Sequence, residues 1–327
     1  MDTLDGARRA VKPAGAPAVG GVGYWYHDLV SNPADILRRE LPGLEEAVPL
    51  APFCAYHVGG AAEFLYRATT TNALVRAVRT ARENGIPLTV LGQATNVLVA
   101  DSGLPGLTIL VRTAGRTLDG LLLTVEAGAE LPALVADLAD QGLAGLEFAG
   151  NIPGSVGGAV VGNAGAYGRS VSNALVSVHL LDGATEHVKA PAELDFSYRS
   201  SLFKELPDLI VLSATFRLSR GERERLLREI SDDAALRRGK HPLDQGSCGS
   251  YFKNPSRELP AARLIEDAGL KGFTAGRAQV SEKHANFLVA LPGATADDIR
   301  SLATEVRRRV REHSGHELTE EVRHLGS

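Results

Sequence analysis

Residues 142–168 read GLAGLEFAGNIPGSVGGAVVGNAGAYG, with nine glycines in 27 positions. That is roughly one in three, against a usual share of about 7%. The spacing lacks the every-third period of collagen, and the intervening Ile, Val and Ala are too apolar for a flexible linker. Glycine at this density among apolar residues predicts packed backbone, turned through positive φ or pressed against something that leaves no room for a Cβ. Main-chain N–H groups in such a stretch suit the phosphates of a large flat ligand.

Working outward, the flanks read as alternating strands and helices. Residues 63–68 form a strand. Thr71 or Asn72 caps a helix that carries Leu74, Val75, Val78 and Ala81 on one face, and Gly85 ends it. After Pro87 comes a strand at 88–91, then the turn Gly92-Gln93-Ala94-Thr95-Asn96, then a strand at 97–99. Further strands are expected at 107–112, 121–126, 175–181 and 209–217. A helix spans 131–141, with Pro132 early and Gly142 as its stop. The composition changes at GERERLLREISDDAALRRGK, which places a domain boundary near Glu222. The last helix opens on a Thr295/Asp298 box, buries Ile299, Leu302, Val306 and Val310, and stops at Gly315.

The resulting division is an N-terminal extension at 1–46, partly disordered, then α+β subdomains at 47–116 and 117–220 and a C-terminal α+β domain at 221–327. Within the extension, YWYHDLV is expected to dock on the body. Lys+Arg 35 against Asp+Glu 39 leaves a net charge of −4, which argues against nucleic-acid or membrane-surface partners. Two cysteines, Cys54 and Cys248, make no disulfide framework, and no metal cluster is expected. The start MDTLDGARRA has no apolar core for a signal peptide, and no apolar run approaches the ~20 residues of a membrane span. A cytoplasmic monomer is the expectation.

Four short stretches are polar, specific and unexplained by core packing. They are the end of the glycine run at Asn163-Ala164-Gly165-Ala166-Tyr167-Gly168, then Phe196-Ser197-Tyr198-Arg199-Ser200-Ser201, Gly249-Ser250-Tyr251-Phe252-Lys253-Asn254-Pro255 and Leu318-Thr319-Glu320-Glu321-Val322-Arg323. Taken singly, Arg199 reads as a surface ion-pair residue, Ser250 as a turn residue and Glu321 as a solvated carboxylate. Together and in this order they resemble the UDP-N-acetylenolpyruvoylglucosamine reductases of peptidoglycan synthesis. The resemblance runs from Pro49 to Gly326 and takes in Lys271-Gly272 and Ser281-Glu282-Lys283-His284-Ala285-Asn286-Phe287. The short interval between Arg199 and Ser250 is similar to the subtype without an extra substrate-capping loop.

The resemblance implies a vanillyl-alcohol-oxidase-type fold: two α+β subdomains hold FAD non-covalently, and a C-terminal α+β domain binds substrate. It implies NADPH as the reductant and reduction of an enolpyruvyl ether to a lactyl ether. It makes Arg199, Ser250 and Glu321 catalytic, with Arg199 and Glu321 on the substrate carboxylate and Ser250 as proton donor, helped by Lys240 or Lys253. Arg suits this because its planar fork engages two carboxylate oxygens and stays charged. Glu321 fits only if protonated, which burial and a neighbouring anion favour. The implied cofactor contacts are Gly92, Gln93, Ala94, Thr95, Asn96, Ile152, Pro153, Gly154, Ser155, Gly157, Gly158, Asn163 and Gly165. The implied substrate contacts are Tyr167, Tyr198, Lys240, Asn254, His284 and Arg323.

The chain departs from the pattern in places. The phosphate turn is usually Gly-x-Gly-Ser-Asn, so Ala94 replaces a glycine, and a non-glycine at positive φ costs about 1 kcal/mol. Cys54-Ala55-Tyr56-His57 stand before Val58-Gly59-Gly60, where Thr-Thr-Phe is usual. Asn151 sits at a common glycine position, where Asn tolerates left-handed backbone. Gly162 replaces a bulkier residue. Three alternatives stay open: a paralogue acting on another enolpyruvyl ether, a sugar or alcohol oxidase of the same superfamily, although Cys54 and His57 near the first subdomain lack the motif context of covalent flavin attachment, and an inactive flavin-binding relative.

Overall fold

The strand Ala61–Ala68 lies inside a four-stranded sheet, between Glu45–Pro49 on one side and Leu104–Val111 on the other, with Leu88–Leu91 beyond. The first pairing is antiparallel and the other two are parallel. Parallel neighbours need a crossover, supplied here by the helix Thr71–Glu83. Its Leu74, Val75, Val78 and Ala81 are buried on one face of the sheet. Leu50, Cys54, Leu65, Leu91 and Leu110 fill the other face. The helix cap is Thr70, one residue before the expected pair, because Thr70 is still extended and its hydroxyl accepts the Ala73 N–H at 3.2 Å. Gly85 follows the helix at φ +63°. This computed structural model describes residues 32–326, so YWYHDLV and the part of the extension before it lie outside the described residues.

Part of the expected extension is ordered structure. Pro33–Glu40 is a helix whose Leu37, with Leu41 after it, enters the first core. Eight residues give barely two turns, too few for a readable period. Val97–Val99 is a strand as expected; it stays out of the first sheet and pairs in parallel with Arg323–Leu325.

The second subdomain is a five-stranded antiparallel sheet in the order Thr185–Lys189, Leu175–Asp182, Ile210–Arg217, Leu122–Glu126, Arg116–Asp119. The helices Leu131–Asp140 and Val156–Gly162 pack into its core. The glycine-rich helix is capped by Ser155, whose hydroxyl accepts the Gly158 N–H, and ends at Asn163 in the left-handed region, φ +42°. At Gly157 a Cβ would come within 2.8 Å of the Ala127 methyl. Close seating of this short helix on neighbouring backbone therefore demands glycine there.

Asn151 does not take positive φ. Its side-chain amide instead donates to the Ile230 carbonyl at 2.9 Å. Ile230 belongs to the charged helix Arg223–Lys240. The expected boundary at 220/221 assigns that helix to the C-terminal domain, yet its buried Leu226 packs against Ala139 and Ala144 of the second subdomain.

The C-terminal part has a three-stranded sheet, Thr274–Ala275, Ala278–Val280 and Leu288–Ala290, with the helices Ala261–Asp267 and Ala296–Ser314. Ile299, Leu302, Val306 and Val310 are fully buried. Both halves of the Thr295/Asp298 box form, and Gly315 stops the helix at φ +74°. Tyr56, Val58 and Leu98, from the first subdomain, complete this core. Buried Asn286 clamps the loop after Ser250: its carbonyl oxygen accepts the Phe252 N–H at 3.0 Å, and its amide donates to the Phe252 carbonyl at 2.8 Å. Replacing Asn286 with Ala orphans two buried backbone groups. The expected loss is about 2–4 kcal/mol of unfolding free energy, to be measured by urea denaturation.

Candidate active site

The turn after Leu88–Leu91 presents the first part of the site. Among the described residues, no hydrogen bond engages the backbone N–H groups of Gln93, Ala94, Thr95 or Asn96. Four successive unpaired amides in a half-buried turn are donors available to an anion. Ala94 stands at φ +48°, the strained geometry that its replacement of glycine predicts. The turn lies against the entry to the glycine-rich helix. The Thr95 hydroxyl donates to the Pro153 carbonyl at 3.2 Å, and a Cβ on Gly154 would come within 3.0 Å of that hydroxyl. The amides of Gly154 and Ser155 are likewise unengaged. These residues fit a diphosphate held by main-chain donors.

The second part is a charge cluster. The Nε of Arg199 lies 2.9 Å from Oε1 of Glu321, both side chains largely covered. That N–H is not aligned for a hydrogen bond, so the contact is an ion pair without hydrogen-bond geometry. Burial raises the Glu321 carboxyl above its ordinary range, against the opposing pull of Arg199, Lys204 and Lys253. The direction agrees with a Glu that is readily protonated. Tyr198 and Arg199 form the corner of a tight turn closed by paired Ser197 and Ser200, and Arg199 is left-handed at φ +54°. Its guanidinium carbon stands 5.6 Å from the Tyr198 ring centre.

Backbone hydrogen bonds connect the parts. The side-chain amide of Asn96 donates to the Glu321 carbonyl at 3.2 Å, and the Arg323 N–H donates to the Asn96 carbonyl at 3.1 Å. The Glu321 N–H donates to the Tyr251 carbonyl at 2.8 Å, which brings the tail beside the Ser250 loop. Ser250 follows left-handed Gly249 and is half-buried.

The remaining expected residues divide. Tyr167 and Tyr198 are exposed, as substrate contacts would be before binding. The Arg323 side chain is exposed beside Lys204. Lys240 and His284 belong to a basic group with Arg237, His241, Lys271 and Lys283. Asn254 is partly committed, its carbonyl accepting the Ala261 N–H at 3.0 Å. Asn163 is buried and serves as a strut: its amide donates to the Ser197 carbonyl at 2.8 Å. Gly157 and Gly165 are glycines because neighbouring protein atoms, the Ala127 methyl and the Arg169 carbonyl, crowd the Cβ position.

Sequence reading overlooked Lys204, Arg237 and His241. Lys204 lies half-buried among Lys253, Glu321, Arg323 and Arg199. Arg237 and Asp233 flank Tyr167. His241 packs edge-on to His284 at 5.1 Å and against Phe287 at 4.8 Å. All three stand next to stretches already marked, and a lysine or histidine there looks like ordinary surface charge.

Free amides on the two α+β subdomains, beside a largely covered arginine–glutamate pair that joins them to the C-terminal tail, are the arrangement expected of a flavin-dependent oxidoreductase. Residues 62–190 match the FAD binding domain family, and residues 241–325 match the C-terminal domain of UDP-N-acetylenolpyruvoylglucosamine reductase. The chain is 44% identical over 292 residues to the reductase of that name from Rubrobacter xylanophilus, covering 89% of this chain and 98% of the relative. It is 42% identical over 287 residues to that of Gloeobacter violaceus, covering 86% and 96%. The crystal structure of the Thermus caldophilus enzyme superposes with a TM-score of 0.73 at 35% identity, over 86% of this chain and 99% of that one. The chain belongs to the UDP-N-acetylenolpyruvoylglucosamine reductase family.

The basic cluster carries a pH signature. Burial first, then Arg237, His284, Lys240 and Lys283, push His241 down to about 4, and burial lowers His284 too. A histidine that is harder to protonate folded than unfolded contributes stability above about pH 6.5 and loses it as pH falls towards 4. Melting temperature should therefore drop across that window, and His241→Phe should flatten the drop.

Proposed function

We propose that the chain reduces the enolpyruvyl ether of UDP-N-acetylglucosamine to UDP-N-acetylmuramate, a step in peptidoglycan precursor synthesis, with FAD bound non-covalently and NADPH as reductant. The juxtaposition of Arg199 and Glu321 at 2.9 Å, hydrogen-bonded through Asn96 to the amide cradle, carries the residue assignment. It acts as a cytoplasmic monomer on a small nucleotide sugar, without nucleic-acid or membrane partners. The net charge of −4 argues against nucleic-acid and membrane-surface partners, and among the described residues no helix is long and apolar enough to cross a membrane.

When bound, FAD supplies a two-electron hydride carrier that NADPH reloads. Gln93, Ala94, Thr95, Asn96, Gly154 and Ser155 would hold its diphosphate through their unpaired main-chain N–H groups, with Gly92, Ile152, Pro153 and Gly158 beside them. Cys54 is unsuited to covalent flavin attachment, since burial pushes its thiol up to about 11.

The chain's own residues handle the substrate. Arg199 engages the enolpyruvyl carboxylate and stabilises the negative charge that develops on it during reduction. Glu321, protonated once a second carboxylate arrives, shares the same oxygens as a hydrogen-bond donor. Ser250 gives its proton to the adjacent carbon, and Lys253 and Lys204 lend positive charge to that corner. Lys240 and His284, with the basic group around them, face the sugar nucleotide's diphosphate. The Asn286 N–H donates to Nδ1 of His284 at 3.3 Å, which assigns the proton of the neutral ring to Nε2, a donor free for phosphate oxygen. Tyr167, Tyr198, Asn254 and Arg323 line the approach.

The test separates the two half-reactions under anaerobic stopped flow. Ser250→Ala should leave flavin reduction by NADPH intact and abolish reoxidation by UDP-N-acetylglucosamine enolpyruvate. Arg199→Ala should slow that reoxidation by about 10²–10³-fold, the usual cost of one preorganised donor. Wild-type rates of reoxidation in both variants would refute the assignment.

A further inference from the structure

The geometry points to Lys204 as a positioning residue, whose ammonium holds the carbonyl of Arg199 and thereby the left-handed turn that presents the guanidinium to the substrate carboxylate. The inference rests on the assignment of Arg199 and Glu321 to that carboxylate. Lys204 Nζ donates to the Arg199 carbonyl at 2.8 Å. The link closes on the residue of the Tyr198–Arg199 corner that needs support, since φ +54° disfavours any side chain larger than glycine's hydrogen.

Three anchors converge on this corner. Asn163 holds the Ser197 carbonyl at 2.8 Å on the incoming side. The buried Ser201 hydroxyl donates to the Val161 carbonyl at 2.7 Å on the outgoing side. Lys204, rooted in the one-turn helix Leu202–Glu205 that starts at this anchor, reaches back to Arg199 itself. The first two fix the ends of the turn, and Lys204 holds the backbone of its strained residue. A strained residue persists at a site when its surroundings over-determine it.

The electrostatic setting is unfavourable for an ordinary structural lysine. Lys253, Arg323 and Arg199 repel Lys204, and Glu321 attracts it. A neutral donor would serve the carbonyl without that repulsion. The charge has a use here: it adds to the positive potential where the carboxylate of the substrate gains electron density. Burial and the three cations also hold the ammonium below the usual lysine range.

The experiment compares Lys204→Met, which keeps the stem and removes the donor, with Lys204→Arg, which keeps donor and charge, and with Arg199→Ala. Each is loaded with FAD and followed through both half-reactions. Lys204→Met should keep flavin content and NADPH reduction, bind enolpyruvate substrate within about threefold of wild type, and reoxidise about 10- to 100-fold more slowly at saturation, as expected for a misplaced catalytic group. Lys204→Arg should recover most of that rate. If Lys204→Met reoxidises normally while Arg199→Ala is slow, the role of Lys204 is wrong and the site assignment stands. If Arg199→Ala also reoxidises normally, the site assignment itself falls. If Lys204→Met loses flavin or folding, Lys204→Arg decides: a wild-type NADPH half-reaction with normal reoxidation supports the inference, and equal loss of both half-reactions overturns it.

Discussion

A three-residue parallel strand, Arg323–Leu325, ties the C-terminal tail to Val97–Val99 of the first subdomain. The two chains continue the contact past the strand, through Asn96 to the Glu321 carbonyl and Arg323 to the Asn96 carbonyl. Glu321 is thereby fixed next to the phosphate turn, some two hundred residues away in sequence. On its other side the Glu321 N–H reaches Tyr251, so the Ser250 loop is referenced to the same tail. The assignments of Glu321 and Ser250 depend on this seam. Its position also explains why Tyr56, Val58 and Leu98 help fill the C-terminal core, since the seam needs apolar backing from both sides.

Backbone strain gathers around the same place. Ala94, Asn163, Tyr167 and Arg199 all have positive φ, and none is glycine. Each such residue costs of order 1–3 kcal/mol and survives only where its surroundings leave it no alternative. The hydrogen bonds to Ser197, Arg199 and Asn96 supply that restraint. The stability comes from elsewhere, chiefly the helix stripe Ile299, Leu302, Val306 and Val310 and the two faces of the first sheet. By contrast, the ion pairs of Arg308 with Glu305 and Glu312 are solvent-exposed and contribute little.

Much was legible in the chain. Hydrophobic period 3.6, a Thr/Asp box and a stop glycine located the last helix to the residue, because local signals and tertiary burial agree there. The glycine run announced a phosphate-binding fold, and four ordered stretches marked Arg199, Ser250 and Glu321. Less legible were Asn163 and Gly157, whose conspicuous residue types answer to protein neighbours. Lys204 was hidden because a lysine declares its role only through what surrounds it.

Sequence alone determined the family, the order of strands and helices, and the chemistry available, since these follow from side-chain type and local period. Tertiary structure decided which strand Val97–Val99 would join, which layer the helix Arg223–Lys240 would cover, and how Glu321 came to face Arg199. Those outcomes depend on pairings between residues far apart in the chain. No local propensity encodes them, because strand partnership and burial are settled only when distant backbone and apolar surface meet.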